Sequence, residues 1–431
     1  MPTWLVPESD LTPDQLRAVR FPDDRHRILY GAPGSGKTIV LLHRARHLRS
    51  LRKVPDEKLR IFVFTNVLSQ YIRSALQLLE IPEDCVMTFA HWCRTFFEEE
   101  QLARLLPRTQ RNQIDFKAVQ QAVLARVRNH PAQYEGRFEL VMVDEGQDLD
   151  TGAFEILRTI ARHVTVCADP KQQIYEAGAA NDAIVKALGA STASFLNAYR
   201  CSPYIAKLAG RFLEDAEERN FFLRQSTPFQ GQRETPVFFK AETFEEERAK
   251  LVEMVRVRCL KGDRVGILLP QNRQVMGFAK GLTEDGLTVE VYNKAYGGRH
   301  DENGRLPDLN FATDNPKVLS YHSAKGLTFD SVLMPRLVPM SFNSFNARLV
   351  NRLLFVGITR ATKWVYMSSC GTGVLQALKS AGLDDAGDDL TVIDAVALRN
   401  GGLLGAGPAV PRSAPQPEVI DDDDGGSTGW L

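Results

Sequence analysis

The sequence predicts an α/β fold of two domains, each a parallel sheet with helices on both faces. Short apolar runs alternate with segments of helical periodicity between residues 27 and 168, and this alternation is typical of a parallel sheet. A second alternating set follows from Arg200. The chain of 431 residues is also too long for one compact core and suits two or three domains.

The first domain opens with a predicted strand, a glycine-rich loop and a helix. Residues 27–30 are apolar and precede several glycines, while residues 38–49 have helical periodicity. A charged stretch with a helical pattern is interpreted as a small helical insertion at about 95–135. The first domain is therefore expected to span residues 1–197. Its other predicted strands are 61–65, 138–143 and 164–168, and a helix follows the first of these through Leu79.

The second domain is expected at residues 198–400. Thr243 is predicted to cap the N-terminus of a helix, and Glu246, three residues later, to complete a capping box. Residues 401–431 are rich in Gly, Pro, Ala and Asp, so they are predicted to form a disordered acidic tail, either simply solvated or docking on a protein partner. The predicted strands of this domain are 236–239, 264–269, 289–292, 318–320, 331–334 and 364–368, and its helices include 244–259 and 344–354.

Composition limits the classes of function. Basic and acidic side chains number 53 each, so the net charge is zero, which argues against binding nucleic acid by bulk charge but not against a local basic groove. No apolar run is long enough to span a bilayer and the first residues do not form a signal peptide, so we expect no membrane association and a cytoplasmic location. The six cysteines include no Cys-x-x-Cys pair, which favours free thiols over a metal site.

The segment from Gly31 to Thr38 reads Gly-Ala-Pro-Gly-Ser-Gly-Lys-Thr and predicts a phosphate-binding loop. Its glycines allow backbone N–H groups to face phosphates, and the helix that follows adds positive potential. We expect Lys37 to contact the β- and γ-phosphates of ATP and the Thr38 hydroxyl to bind Mg²⁺. The other residues expected at the phosphates are Gly34, Ser35 and Gly36.

Two acidic residues follow the predicted strand at 138–143. Asp144 is expected to bind Mg²⁺, and Glu145 to orient or deprotonate the water that attacks the γ-phosphate. Two acids at the end of a buried strand would be costly without a cation to hold them. The charge of the transition state needs further cations, and Arg200 and Arg360 are the candidates because each lies in a compact motif.

Several further motifs follow the phosphate loop in order. The sequence contains Val-Asp-Glu-Gly-Gln-Asp from Val143, Gln-Gln-Ile-Tyr from Gln172, Asn-Ala-Tyr-Arg from Asn197, His-Ser-Ala-Lys-Gly from His322 and Phe-Val-Gly-Ile-Thr-Arg-Ala from Phe355. Together with Leu-Thr-Pro-Asp-Gln, which ends at Gln15, the series resembles the UvrD/Rep-like group of superfamily 1 helicases. The resemblance covers most of the predicted folded part and implies two RecA-like domains with ATP in the cleft between them.

The resemblance also implies roles for individual residues. Gln15 would bind adenine and Tyr199 would stack on it. ATP hydrolysis, with Mg²⁺ as cofactor, would move the protein along single-stranded DNA, usually from 3′ to 5′. The residues that would sense the γ-phosphate, supply arginine fingers or otherwise lie at the nucleotide are Gln147, Gln172, Arg200, Gly326 and Arg360.

Contacts with a nucleic-acid strand follow from the same resemblance and from base stacking on aromatic rings. Phe64 and Phe89 are candidate stacking residues, although a Phe near a strand end is as often part of the core. Ala177 stands where many relatives have a Trp that stacks on a base. The full set of expected strand contacts is Phe64, Thr65, Asn66, Thr88, His91, Tyr175 and His322.

The chain is smaller than the relatives it resembles, which carry two accessory insertions. Only a short segment, about 296–317, is available for the second of them. The sequence therefore predicts a reduced motor, stimulated by a strand, whose unwinding of duplex depends on a partner. Two alternatives remain open: an RNA-directed helicase, and a subunit that binds ATP as a switch within a larger repair or antiviral defence complex.

Overall fold

The computed structural model describes residues 4–169, 181–196, 202–225, 234–292, 309–371, 373–383 and 389–396, together with residue 399. Four predicted site residues, and the predicted tail, lie outside these ranges: Gln172, Tyr175, Tyr199, Arg200 and 401–431. Within the described ranges, no helix is both long and apolar enough to cross a membrane.

A parallel sheet forms the centre of the first lobe, as predicted. Its six strands in the described part of the chain are β1 (Arg27–Gly31), β2 (Leu59–Val63), β3 (Val86–Thr88), β4 (Phe138–Val143), β5 (Ala161–Ala168) and β6 (Ser191–Leu196). They lie side by side in the order β3-β2-β4-β5-β1-β6, and all their pairings are parallel. The strands β3 and β6 were not predicted; β3 has only three residues, too few for a recognisable pattern.

A second parallel sheet forms the other lobe. Its seven strands among the described residues are β7 (Val237–Ala241), β8 (Val265–Leu269), β9 (Glu290–Val291), β10 (Lys317–Ser320), β11 (Phe329–Met334), β12 (Ala361–Cys370) and β13 (Thr391–Asp394). They are arranged in the order β13-β7-β12-β11-β8-β10-β9 with parallel pairings. All the strands predicted for this domain are confirmed, and β13 is an addition.

Helices cover both faces of each sheet. Ile28 and Tyr30 of β1 point to one apolar layer of the first lobe and Leu29 points to the other, as the period of a strand requires. The helices are α1 (Pro13–Val19), α2 (Lys37–Arg52), α3 (Asn66–Leu76), α4 (Phe89–Glu99), α5 (Phe116–Asn129), α6 (Pro131–Tyr134), α7 (Thr151–Ile160), α8 (Asn181–Leu188), α9 (Pro203–Gly210), α10 (Ala216–Gln225), α11 (Phe244–Leu260), α12 (Asn272–Glu284), α13 (Tyr321–Ala324), α14 (Ala347–Ile358) and α15 (Gln376–Ser380).

The stretch predicted as a helical insertion is part of the helical layer of the first lobe. Val119, Val123 and Val127 recur on one face of α5 and are buried in the same core as α4 and α7. Phe89 is also buried in this core, where its ring meets Phe62 edge-on at 5.5 Å. The expectation that Phe89 stacks on bases is therefore wrong, and its alternative role in the core is confirmed.

The predicted cap of α11 forms only in part. The Thr243 hydroxyl accepts a hydrogen bond from the Glu246 backbone at 3.3 Å, as expected of an N-cap. The Glu246 carboxylate, however, accepts from the backbone N–H of Glu242 at 3.0 Å rather than from that of Thr243. The reciprocal bond of a capping box is thus displaced by one residue.

The topology gathers the predicted site residues at the carboxyl edges of the sheets. In the first lobe, the phosphate loop follows β1 and the acidic pair follows β4, both near the centre of the sheet. The residues of this lobe that are predicted to contact nucleic acid lie at the ends of β2 and β3, at one side of the same sheet. Ligands of open α/β sheets bind at such edges, so the order of strands separates a nucleotide region from a second region beside it.

Candidate nucleotide cleft and strand groove

The phosphate loop has the geometry that its glycines predict. Gly34 and Gly36 adopt left-handed φ angles of 77° and 81°, and α2 begins directly afterwards at Lys37. The Lys37 ammonium donates to the Gly31 carbonyl at 2.8 Å and to that of Ala32 at 3.2 Å. The loop therefore wraps around its own lysine at the N-terminus of a helix, where an anion is favoured.

Gln15 fixes the phosphate loop to the start of α1. Its amide nitrogen donates to the Ser35 carbonyl at 2.9 Å, and its amide oxygen accepts from the Thr12 backbone at 3.0 Å. The Thr12 hydroxyl in turn accepts from the Gln15 backbone N–H at 3.3 Å, which completes a capping box. The structure thus gives Gln15 a bracing role, and the predicted contact with adenine stays a prediction.

Thr38 and Asp144 lie together as the predicted Mg²⁺ ligands. The Thr38 hydroxyl donates to Asp144 Oδ2 at 2.7 Å across the cleft between α2 and the end of β4. Burial, and then the neighbouring Glu145, raise the pKa of Asp144 to about 7. A hydroxyl and a buried carboxylate side by side are hard oxygen donors, so this pair fits a Mg²⁺ ion.

Glu145 occupies an unusual backbone position at the end of β4. It is a non-glycine residue with a left-handed φ of 54°, a conformation found often at functional sites. Gln147 donates to its carboxylate at 2.6 Å and in turn accepts from the Asp169 backbone at 2.9 Å. Burial opposes ionisation, but Lys325, Lys37 and Arg360 lower the pKa of Glu145, so it is a carboxylate.

The second lobe supplies the opposite wall of the cleft. Arg360 is 6% exposed and lines a space of about 470 Å³ together with Lys37, Thr38 and Glu145. Its guanidinium donates to the carbonyls of Val356 at 3.1 Å and Leu327 at 3.3 Å. These bonds hold the guanidinium against its own lobe, and it lies within the electrostatic reach of Glu145.

Gly326 lies where the two lobes approach each other. Its φ is 83°, and a Cβ atom placed on it would come within 2.8 Å of the Leu68 side chain on α3. Gly326 also lines the nucleotide cleft, as predicted for a residue at the nucleotide. A side chain at this position would have to adopt the left-handed conformation and displace the Leu68 side chain.

Lys325 was not among the predicted site residues, although it stands in one of the recognised motifs. Its side chain is 1% exposed, and its ammonium donates to both carboxylate oxygens of Asp148, at 2.8 and 2.6 Å. The same ammonium lies 3.8 Å from Glu145. Burial raises the pKa of Asp148 to about 7, against the opposing effect of Lys325. Lys325 thus carries a cation from the second lobe to two acids of the first.

The residues predicted to contact a nucleic-acid strand, where they fall in the described ranges, line one groove, the strand groove. This groove has an empty volume of about 1730 Å³, and both lobes line it. Thr65 and Thr88 cap the N-termini of helices at this groove. The Thr65 hydroxyl accepts from the Leu68 backbone N–H at 3.1 Å, and the Thr88 hydroxyl accepts from that of His91 at 3.1 Å. The predicted residues along the groove are Phe64, Thr65, Asn66, Thr88, His91 and His322.

Further residues of the groove were not predicted. Gln271, Asn272 and Tyr292 follow β8 and β9, so they reach the groove from the carboxyl edge of the second sheet. Phe116 and Phe345 also line it, the first from α5 and the second from the segment before α14. None of these five residues stands in a motif that the sequence revealed, because their proximity depends on how the lobes pack.

Among the comparisons with known proteins, two family models match parts of the chain that carry the motifs. Residues 15–178 match a family model described as an AAA domain, and residues 317–368 match the UvrD-like helicase C-terminal domain. No curated protein matches the chain. Among solved structures, the chain is similar to the C-terminal domain of a possible DNA helicase from the Lactobacillus strain WCFS1, with 18% identity, a TM-score of 0.32, and coverage of 45% of this chain and 98% of that chain.

The order of these matches follows the order of the motifs along the chain. The first family model includes the phosphate loop and the acidic pair after β4, and the second includes the motif with Lys325 and the arginine at 360. The two sheets correspond to the two RecA-like domains that this arrangement requires. The chain therefore combines an AAA domain with a UvrD-like helicase C-terminal domain, and together with the motifs this supports a UvrD/Rep-like superfamily 1 helicase, a DNA helicase that hydrolyses ATP.

Proposed function

We propose that this helicase is a motor that couples ATP hydrolysis between its lobes to movement along single-stranded DNA, in the 3′ to 5′ direction. One observation carries the proposal. His322 lines the strand groove, and Lys325, three residues later in the same motif, holds Asp148 and lies near Glu145 in the nucleotide cleft. One short segment of the second lobe, residues 322–325, therefore contacts both the strand groove and the nucleotide cleft.

The nucleotide cleft supports hydrolysis by residues from both lobes. Lys37 would bind the phosphates, Glu145 would accept a proton from the attacking water, and Arg360 would offset charge that develops on the γ-phosphoryl oxygens. Mg²⁺, held by Thr38 and Asp144, would neutralise phosphate charge. The roles of Gln172, Tyr199 and Arg200 rest on the family resemblance.

The first lobe supports the same coupling through α3. Thr65 and Asn66, at the N-terminus of this helix, line the strand groove. Tyr71, further along the helix, lines the nucleotide cleft, and Leu68 lies against Gly326 of the other lobe. Because the two walls of the groove belong to different lobes, closure of the cleft would change the grip on a strand.

The decisive experiment measures ATP hydrolysis by the purified chain with matched single strands of DNA and RNA at stated salt. We expect strong stimulation by DNA. Stimulation by RNA alone would favour an RNA-directed helicase. Negligible hydrolysis with both strands would contradict the motor and favour an ATP-dependent switch in a larger complex.

Direction and partner dependence are tested with duplexes that carry a single-stranded tail at either the 3′ or the 5′ end. We expect the chain to engage the 3′ tail, to move along it, and to separate long duplexes poorly without a partner protein. Preference for the 5′ tail would overturn the direction. Efficient separation of long duplexes by the chain alone would overturn the dependence on a partner.

A further inference from the structure

A hydrogen-bonded loop of the second lobe, residues 341–345, holds Phe345 in the strand groove. The Gln271 amide donates to the Ser341 carbonyl and to the Ser344 hydroxyl, both at 3.1 Å. The Phe345 backbone N–H donates to the Phe342 carbonyl at 3.0 Å. The loop is thus tied to the end of β8, and it places the Phe345 ring at a fixed point on the groove wall.

The ring of Phe345 stands beside the imidazole of His322. Their centroids are 6.1 Å apart and their planes differ by 34°. Burial lowers the pKa of His322, so its ring is neutral at physiological pH. Two planar, uncharged rings at this spacing offer a surface on which flat molecules can stack.

Phe116 faces the same groove from the first lobe. It is the first residue of α5 and is 50% exposed, an unusual position for a large apolar ring. The Asp115 side chain caps the helix by accepting from the Ala118 backbone at 3.0 Å, and this fixes the backbone that carries Phe116. An exposed ring on a rigid helix start is suited to contact with a partner.

The rest of the groove suits a phosphate backbone. Among the described residues that line it, none is acidic, and Arg94 supplies a positive charge while also pairing with Glu98 at 3.4 Å on the exposed face of α4. The other lining groups include hydroxyls and amides that can donate to phosphate oxygens, such as Thr65, Asn66 and Asn272. An exposed Phe116, the partly exposed rings of Phe345 and His322, uncharged donors and a cation together form the pattern of a single-strand channel.

We propose that Phe345 and Phe116 are base-stacking residues that hold a single strand from the two walls of the groove, Phe345 together with His322. Neither residue belongs to the motifs from which the strand contacts were predicted. The inference rests on the proposed function, because it requires that this groove binds a strand. It identifies the side chains that stack on the bases of a single strand regardless of the base sequence.

The test compares Phe345→Ala and Phe116→Ala with the parent chain and with Phe221→Ala. Phe221 is a matched control, since it is 41% exposed on α10 and does not line the groove. Binding of a short fluorescent oligothymidylate is measured by anisotropy, and an abasic strand of the same length serves as the second ligand. Phe345→Trp keeps a stacking ring, and thermal unfolding of every variant reports folding.

Each alanine variant is expected to lose about tenfold in affinity for oligothymidylate, whereas Phe345→Trp and Phe221→Ala bind as the parent does. On the abasic strand the variants and the parent should bind alike. The strand concentration that half-stimulates ATP hydrolysis should rise by the same factor. Arg94→Ala should instead reduce the salt dependence of binding.

Two results would overturn the inference. One is unchanged affinity of both alanine variants for oligothymidylate. The other is an equal loss of affinity for the abasic strand, which would indicate that the rings set the shape of the groove rather than stack on bases. If the parent chain binds no strand and shows no stimulation, the proposed function itself fails, so the two failures are distinguishable.

Discussion

At the scale of single residues, Glu145, the proposed general base, lies in a turn with an unfavourable backbone conformation. Glu145 has a left-handed backbone, and the next residue, Gly146, is packed so closely that a Cβ atom on it would come within 2.3 Å of the Val166 side chain. The turn directs the Glu145 carboxylate towards Gln147 and the cations of the cleft. The strain is thus offset by interactions of the side chain.

Glu145→Gln should retain ATP binding and block turnover. The amide cannot accept a proton from water, but it fills the same space. We expect hydrolysis to fall by at least about 100-fold, with a strand held more tightly in the presence of ATP. Steady-state hydrolysis and strand anisotropy with ATP measure both effects.

Glu139→Gln is the matched control, because Glu139 lies at the other end of β4 and pairs with Arg162. It should hydrolyse ATP at the parental rate. Normal turnover in Glu145→Gln would remove Glu145 from the role of general base.

Arg360→Ala should lower turnover far more than ATP affinity. The charge that Arg360 offsets develops mainly in the transition state, and an arginine finger contributes roughly 10³ to 10⁵ in rate. Arg348→Ala on α14, exposed and outside the cleft, is the control. Single-turnover hydrolysis and nucleotide binding separate the two effects, and an unchanged rate would exclude Arg360.

At the scale of elements, a short segment connects the strand groove to the nucleotide cleft. It consists of β10, α13 and the turn after α13. β10 ends at Ser320, whose hydroxyl caps α13 by accepting from Ser323 at 3.2 Å. Within the next residues, His322 lies in the groove and Lys325 in the cleft. His322 lies in α13 and Lys325 directly follows this helix, so a shift of the segment as a unit would move both residues.

The ion pair of Lys325 and Asp148 should therefore behave as a coupled unit. Both side chains are almost fully buried, so Lys325→Met would leave a buried acid without its cation. We expect a loss of about 3 kcal/mol in unfolding free energy and weaker stimulation by a strand. Adding Asp148→Asn should restore much of the stability but not the stimulation.

Urea unfolding of the two single variants and the double variant measures this coupling. Additive losses in the double variant would contradict the coupling. Unchanged strand stimulation in Lys325→Met would show that the motif does not connect the groove to the cleft.

At the scale of the whole molecule, the lobes share an apolar cluster. Leu29 of the first sheet and Leu319 of the second belong to the same cluster of buried residues. At its edge, Trp4 stacks on Tyr71 with centroids 4.2 Å apart, and both rings line the nucleotide cleft. Tyr71 also meets Phe311 of the second lobe at 5.0 Å. A change in the cleft should alter this aromatic contact.

Binding of a non-hydrolysable ATP analogue should change the tryptophan fluorescence of the protein, and Trp4→Phe should abolish most of the change. Trp92 and Trp364 are buried at 2% and 4% exposure and do not line the cleft, so they should respond little. The same titration with Trp92→Phe is the control. A full signal in Trp4→Phe would show that Trp4 does not sense the nucleotide.

Local patterns predicted much of this structure because they depend on neighbours in sequence. The phosphate loop, the acids after β4 and most strands follow from glycine spacing and apolar runs, and the structure places them as expected. Phe89 was ambiguous, since a ring at a strand end suits either a core or a ligand, and only packing against Phe62 decides it. The bracing of Gln15 on Ser35 likewise joins residues twenty positions apart.

By itself, the sequence determined the fold class, the nucleotide loop and the family, because each is encoded in short segments with characteristic spacing. The tertiary structure alone decided which residues of one lobe meet those of the other. Lys325 reaches Asp148, and Phe345 and Phe116 face one groove, although more than 170 positions separate each pair. Such contacts arise from the packing of two sheets against each other, which no local pattern records.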